Sequence, residues 1–139
     1  MSDLSKIIIE SRQKSIIDAN VVHDRYEYEG RAGRVGDAFY ISYEQKEDKE
    51  VIKNLLKVEG NKLTRTSKGE HTSNTMVFSL GNTTSSDYKT PYGNITMSFL
   101  TKNLQTIKSD SSMRIVIEYI LSMNNEPTLE CEMIIRISL

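Results

Sequence analysis

Two imidazoles and one thiol, His23, His71 and Cys131, are the side chains of this 139-residue chain best suited to metal ligation or nucleophilic attack, and each stands isolated in sequence. No His, Cys, Asp and Glu set has ligand spacing, so we expect no metal and no cofactor. Cys131 alternates with Met133 and Ile135 on one strand face, which makes it a small core hydrophobe rather than a nucleophile. His23 beside Asp24 suggests a dyad, but neighbours on a strand point to opposite faces and diverge. Glu27 with Glu29, and Glu130 with Glu132, do share a face at spacing two, although that face of a half-buried strand is normally solvent. Serines abound without a Gly-x-Ser-x-Gly elbow. With no catalytic constellation visible, the expectation is a protein that is not an enzyme.

Other spacings point to binding. The run Gly30, Arg31, Ala32, Gly33, Arg34, Val35, Gly36 combines exposed N–H groups with two guanidinium groups, a composition able to hold an anion. It matches neither the dinucleotide nor the Walker pattern, and we read it as a flexible hairpin loop. Asn82-Thr83-Thr84 and Asn94-Ile95-Thr96 fit the glycosylation pattern, which the lack of a secretory h-region makes coincidental. More informative are polar residues on otherwise apolar strand faces. Ser11 and Gln13 follow Ile7 and Ile9, Arg65 and Ser67 follow Leu63, and Thr101 follows Phe99. If one end of a barrel is filled by apolar side chains and the other is roomier, these residues fall at the polar end, where Tyr26, Tyr28, Tyr43 and Tyr88 would line a ligand mouth.

The elements that must position them are strands, because apolar and polar residues alternate through most of the chain. From Met113 the odd positions read Met113, Ile115, Ile117, Tyr119, Leu121, Met123, and after a turn at Asn124 to Pro127 they read Leu129, Cys131, Met133, Ile135, Ile137, Leu139. Earlier strands are expected over about 7–17, 23–29, 39–43, 76–80, 83–90 and 95–103, with Gly60-Asn61 as the tightest hairpin signal between Val58 and Leu63 and a turn over Thr90 to Gly93. In Lys46 to Leu56, Val51 with Leu55 and Ile52 with Leu56 stand four apart, and a short helix is the competing reading there. About ten strands with short connections and no long helix predict an all-β fold. The expected form is a single antiparallel barrel of eight to ten strands occupying residues 1–139.

Composition narrows the partners. Nineteen acidic against eighteen basic residues give a net charge of −1, so no field favours nucleic acid. No apolar run exceeds the four residues Ala38 to Ile41, far short of the roughly 20 of a membrane helix. A lone cysteine closes no intrachain disulfide, and with no secretory h-region the expected location is cytoplasmic.

The ordered set Phe39 to Glu44, Leu56 to Gly60, Met76 to Phe78 and Tyr88 to Gly93 resembles the small bacterial YwiB-like family, whose members are calycin-type, lipocalin-like barrels of no established function. The resemblance implies that fold for nearly the whole chain. That family has a basic residue two places before the glycine matched by Gly69; Ser67 stands there, with Arg65 two residues earlier on the same face. The absence of Trp removes the signature of true lipocalins, so lipocalin function is not carried over. The leading functional expectation is a barrel that binds a small, partly apolar, anionic ligand at its open end, through Gln13, Tyr26, Tyr28, Tyr43, Arg65 and Tyr88. The alternative is an interaction or structural module with a solid core, simplest as a homodimer, in which Ile120 and Ile134 on otherwise polar faces would make the contact.

Overall fold

In the computed structural model, residues 4–47, 49–70, 73–90 and 93–139 are described. Ten strands form: β1 (Leu4–Ser15), β2 (Val21–Val35), β3 (Ala38–Glu47), β4 (Glu50–Glu59), β5 (Lys62–Lys68), β6 (Ser73–Ser79), β7 (Thr83–Thr90), β8 (Gly93–Lys108), β9 (Ser112–Met123) and β10 (Glu126–Ser138). They make one antiparallel sheet in the order β6-β5-β4-β3-β2-β1-β10-β9-β8-β7, curled into a nearly closed barrel. Period-two alternation becomes burial: Ile115, Ile117, Ile135 and Ile137 are 0–1% exposed, whereas Arg114, Glu118 and Arg136 between them face solvent. The registers Ile115↔Ile135 and Ile117↔Met133 put both runs on the same inner face.

Two local expectations are corrected, and the open choice over Lys46 to Leu56 falls to strand. The described residues of Lys46 to Leu56 are not helical: Lys46 and Glu47 end β3 and Glu50 to Leu56 lie in β4, where Ile52, Leu56 and Val58 face the core and Val51 and Leu55 face out. Spacing of four also satisfies a period of two, which is why the segment looked ambiguous. The glycine run is not a loop. Gly30 and Gly33 lie inside β2, and only Gly36, at φ 62°, occupies the tight turn into β3. The β9–β10 turn is Asn124-Asn125 alone, both left-handed at φ 49° and 68°, while Pro127 already belongs to β10 beside a register shift. Of the turn expected over Thr90 to Gly93, Pro91 and Tyr92 lie outside the described residues.

Two long strands turn the corners of the barrel. β2 pairs with β1 through Arg31 but with β3 only from Gly30 onward, so the sheet forks at Gly30. A Cβ at Gly30 would overlap the Ser42 carbonyl oxygen and Ile7 Cδ1, so only glycine permits this crossing. β8 pairs with β7 over Gly93 to Leu100 and with β9 over Met97 to Lys108, with a bulge between Thr101 and Asn103.

The remaining seam, between β6 and β7, carries no ladder pairing among the described residues. Side chains close it instead: the Thr84 hydroxyl donates to the Val77 carbonyl, and Ser86 Oγ donates to the Thr75 carbonyl at 2.6 Å.

Candidate functional site

The inner rows change character along the barrel. Near the β2–β3 and β4–β5 turns they are mostly apolar, with Phe39, Val58, Leu63 and Phe78 buried and Ser5 and Thr101 as buried polar exceptions. Across the middle, Phe78, Phe99 and Tyr119 form an aromatic layer with ring centroids 4.8–5.8 Å apart. Beyond this layer, toward the β1–β2 and β9–β10 turns, the polar residues Asn54, Arg65 and Ser67 join apolar ones such as Ile52, Met76 and Leu121 on the inner face.

Arg65 is the centre of that polar end. β4 and β5 pair Leu56 with Arg65 and Asn54 with Ser67, so Asn54, Arg65 and Ser67 share the inner face. Asn54 and Ser67 are 2% and 5% exposed. Ser67 Oγ donates to Asn54 Oδ1 at 2.6 Å and Arg65 Nη2 donates to the same oxygen at 3.4 Å. Asn54 Nδ2 reaches the Ile52 carbonyl at 3.5 Å. Among the described residues Arg65 makes no ion pair, and its Nε is buried without an acceptor. The half-buried guanidinium thus keeps one buried donor, its Nε–H, without a protein acceptor.

Tyrosines descend toward it from the fork. Tyr26 is 51% exposed, Tyr28 half-buried and Tyr43 buried. The rings of Tyr26 and Tyr28 stack at 6.4 Å, and those of Tyr28 and Tyr43 at 4.5 Å. The last pair bridges the gap where β2 and β3 separate. Burial pushes the Tyr28 and Tyr43 hydroxyls above the usual tyrosine range, and in both the Arg65 guanidinium works in the opposite direction. Tyr119 is raised further by burial and by Cys131, again opposed by Arg65. One cation therefore acts on three phenols from three strands. On the far wall, Tyr88 Oη meets Met76 Sδ at 3.8 Å across the β6–β7 seam, and Met76 is the register partner of Arg65.

Of the six residues expected at a mouth, Tyr28, Tyr43, Arg65 and Tyr88 gather around the polar end by these contacts. Tyr26 stands at its rim. Gln13 lies on the inner row of β1 opposite Cys131, which pairs in turn with Tyr119. Thr101 does not belong to the mouth: it is fully buried, and its backbone bonds to Gly81 and Asn82 in the β6–β7 turn at the opposite end. Asn54 is not among the residues the sequence points to, although a polar residue in the row Ile52, Asn54, Leu56, Val58 carries the same signal as Arg65. The competing helical reading of that segment hid it.

Cys131 lies in the core, its thiol raised by burial and opposed by a hydrogen bond with Tyr119. His23 faces outward while Asp24 on the opposite face is half-buried, so no dyad forms; His71 lies outside the described residues. No cluster of metal-ligating side chains occurs among the described residues, and no helix there is long and apolar enough to cross a membrane. Ile120 and Ile134 are both half-buried on the outer face, separated by the cross-strand pair Glu118↔Glu132.

A family model described as "Domain of unknown function (DUF1934)" matches residues 7–135. A solved structure described as "Crystal structure of ywiB protein from Bacillus subtilis" superposes with a TM-score of 0.79 at 20% identity, covering 97% of this chain and 92% of that one. At that identity the likeness is one of fold, and it bears out the barrel expected from the motif order. No curated protein matches the chain.

Proposed function

We propose that this chain, which belongs to the DUF1934 family of domains of unknown function, is a non-enzymatic, cytoplasmic barrel that binds a small, partly apolar anion at its polar end. Arg65 pairs with the anionic group. Tyr28 and Tyr43 supply flat contact area, Tyr26 and Tyr88 flank the entrance, Gln13 adds a polar group on the β1 wall, and the layer of Phe78, Phe99 and Tyr119 forms an apolar floor. The calycin-type architecture suggested by the sequence suits a ligand held at one end.

The observation that carries the reading is the unmatched guanidinium. A partly desolvated cation without a counterion is unfavourable, and a buried donor without an acceptor adds to that. An entering carboxylate or phosphate oxygen relieves both at once. Stacked tyrosines beside it favour a ligand with a flat apolar part.

The test is a thermal-shift and calorimetric comparison of benzoate, phenylacetate and phenyl phosphate with the uncharged benzamide. The aromatic anions should raise the melting temperature of the wild type while benzamide does not. Arg65→Gln should abolish the shift while leaving the fold intact by circular dichroism. Equal anion binding by Arg65→Gln and the wild type would refute the assignment.

A further inference from the structure

The fork at Gly30 leaves part of a sheet edge unpaired. Ser15 N–H donates to the Asn20 carbonyl at 2.9 Å, and the unbroken β1–β2 register carries this parity along the hairpin. Even-numbered residues of β2 therefore bond to β1, and the backbone groups of Val21, His23, Arg25, Glu27 and Glu29 point the other way. β3 pairs only from Gly30, a register that already turns the Glu29 carbonyl toward Glu44, so among the described residues the row from Val21 to Glu27 meets no partner strand. The side chains around it are open too: Val22 and Tyr26 on the inner face are 53% and 51% exposed, and Ile17 at the hairpin tip is 89% exposed.

We propose that a second copy of this chain covers that edge, β2 pairing antiparallel with the β2 of its partner about a two-fold axis through Tyr26. Charge selects this register. With the axis at Tyr26, Arg25 stands opposite the partner's Glu27 and His23 opposite the partner's Glu29, and two-fold symmetry makes each contact twice. An axis at Arg25 or at Glu27 sets like charges against each other, and one at Asp24 sets His23 against the partner's Arg25. Arg25 and Glu27 already pair within the chain at 2.9 Å with side chains 55% and 43% exposed, so the two extend into a four-charge network without leaving each other. The interface runs from His23 to Glu29 and stops where β3 takes over. It brings the partner's Tyr26 against Tyr26 and so covers the outermost tyrosine of the fork. The pairing follows from the edge and its charges and does not depend on anion binding.

Light scattering coupled to size exclusion, over a range of protein concentrations, reads the outcome. The wild type should approach twice the chain mass of 15.9 kDa. Arg25→Glu should return it to the monomer mass, and the Arg25→Glu, Glu27→Arg double variant should restore the dimer. A monomeric wild type, a dimeric Arg25→Glu or an unrestored double variant overturns the proposal. Should Arg25→Glu fail to fold, hydrogen exchange on the unaltered chain decides. Amides of His23, Arg25, Glu27 and Glu29 should gain at least tenfold protection as concentration rises, and exchange at a concentration-independent rate overturns the pairing. Arg65→Gln should still dimerise, which separates failure of this interface from failure of the anion site.

Discussion

The Ser86 hydroxyl hydrogen-bonds the Thr75 carbonyl at 2.6 Å, and by doing so stands in for a backbone rung. Thr84 does the same to Val77 two residues along, so the two bonds follow one antiparallel register across a seam that has no ladder among the described residues. A barrel closed by side chains is weakest at that line, since each neutral hydroxyl bond contributes only about 0.5–1.5 kcal/mol.

Replacing both hydroxyls, with Thr84→Val and Ser86→Ala, should lower stability by about 1–3 kcal/mol. Amide exchange in β7 should accelerate much more than in β9 and β10. Uniform acceleration across all strands, measured by hydrogen exchange, would show that the seam is not a separate line of weakness.

Gly30→Ala should cost more than its single methyl suggests, about 2–4 kcal/mol, because the Cβ meets the backbone of Ser42 rather than a flexible side chain. Denaturant unfolding checks it. Gly33→Ala is the control: nothing lies near its Cβ, so the loss there should stay below about 1 kcal/mol.

Asn54→Ala removes the acceptor shared by Ser67 and Arg65 and should destabilise by about 1–3 kcal/mol, as expected for buried donors left unsatisfied. Ser67→Ala removes a donor and should cost less. If Ser67→Ala costs more in chemical denaturation, Asn54 is not the hub of the cluster.

The buried phenols set an alkaline limit. Tyr28, Tyr43 and Tyr119 are raised above the ordinary value of 10.0, and Cys131 above 9.0. Groups raised on folding contribute stability that is complete below their unfolded values and lost as pH climbs through the folded ones. Stability from these four should therefore be flat up to about pH 9 and fall beyond it. Arg65→Gln removes an opposing cation, so late tyrosinate absorbance should move to still higher pH. An unchanged titration would mean that Arg65 does not face the three rings.

Much of the barrel was legible in the chain. Alternation from Met113 to Ile137 assigns the inner and outer residues of β9 and β10, because a strand's two faces are fixed by neighbours two positions away, and it fails only at the exposed ends, Met123 and Leu139. The same rule singled out Arg65 as a charge on an apolar row, and it would have singled out Asn54 had spacing of four not admitted a helix. Less could be read where backbone approaches backbone. Gly30 looks like a loop glycine until Ser42, twelve positions on, is seen to lie where its side chain would be.

The amino-acid order by itself determined that this chain forms strands, which residues face inward and where most reversals fall, since all of these depend on local dihedral preference and on a period of two. Only the tertiary structure decided that β2 leaves β1 for β3 at Gly30, that hydroxyls close the β6–β7 seam, and that Tyr28, Tyr43 and Tyr119 share the field of Arg65. Those relationships depend on the register and curvature of strands distant in sequence, which packing of the whole sheet sets and no local pattern encodes.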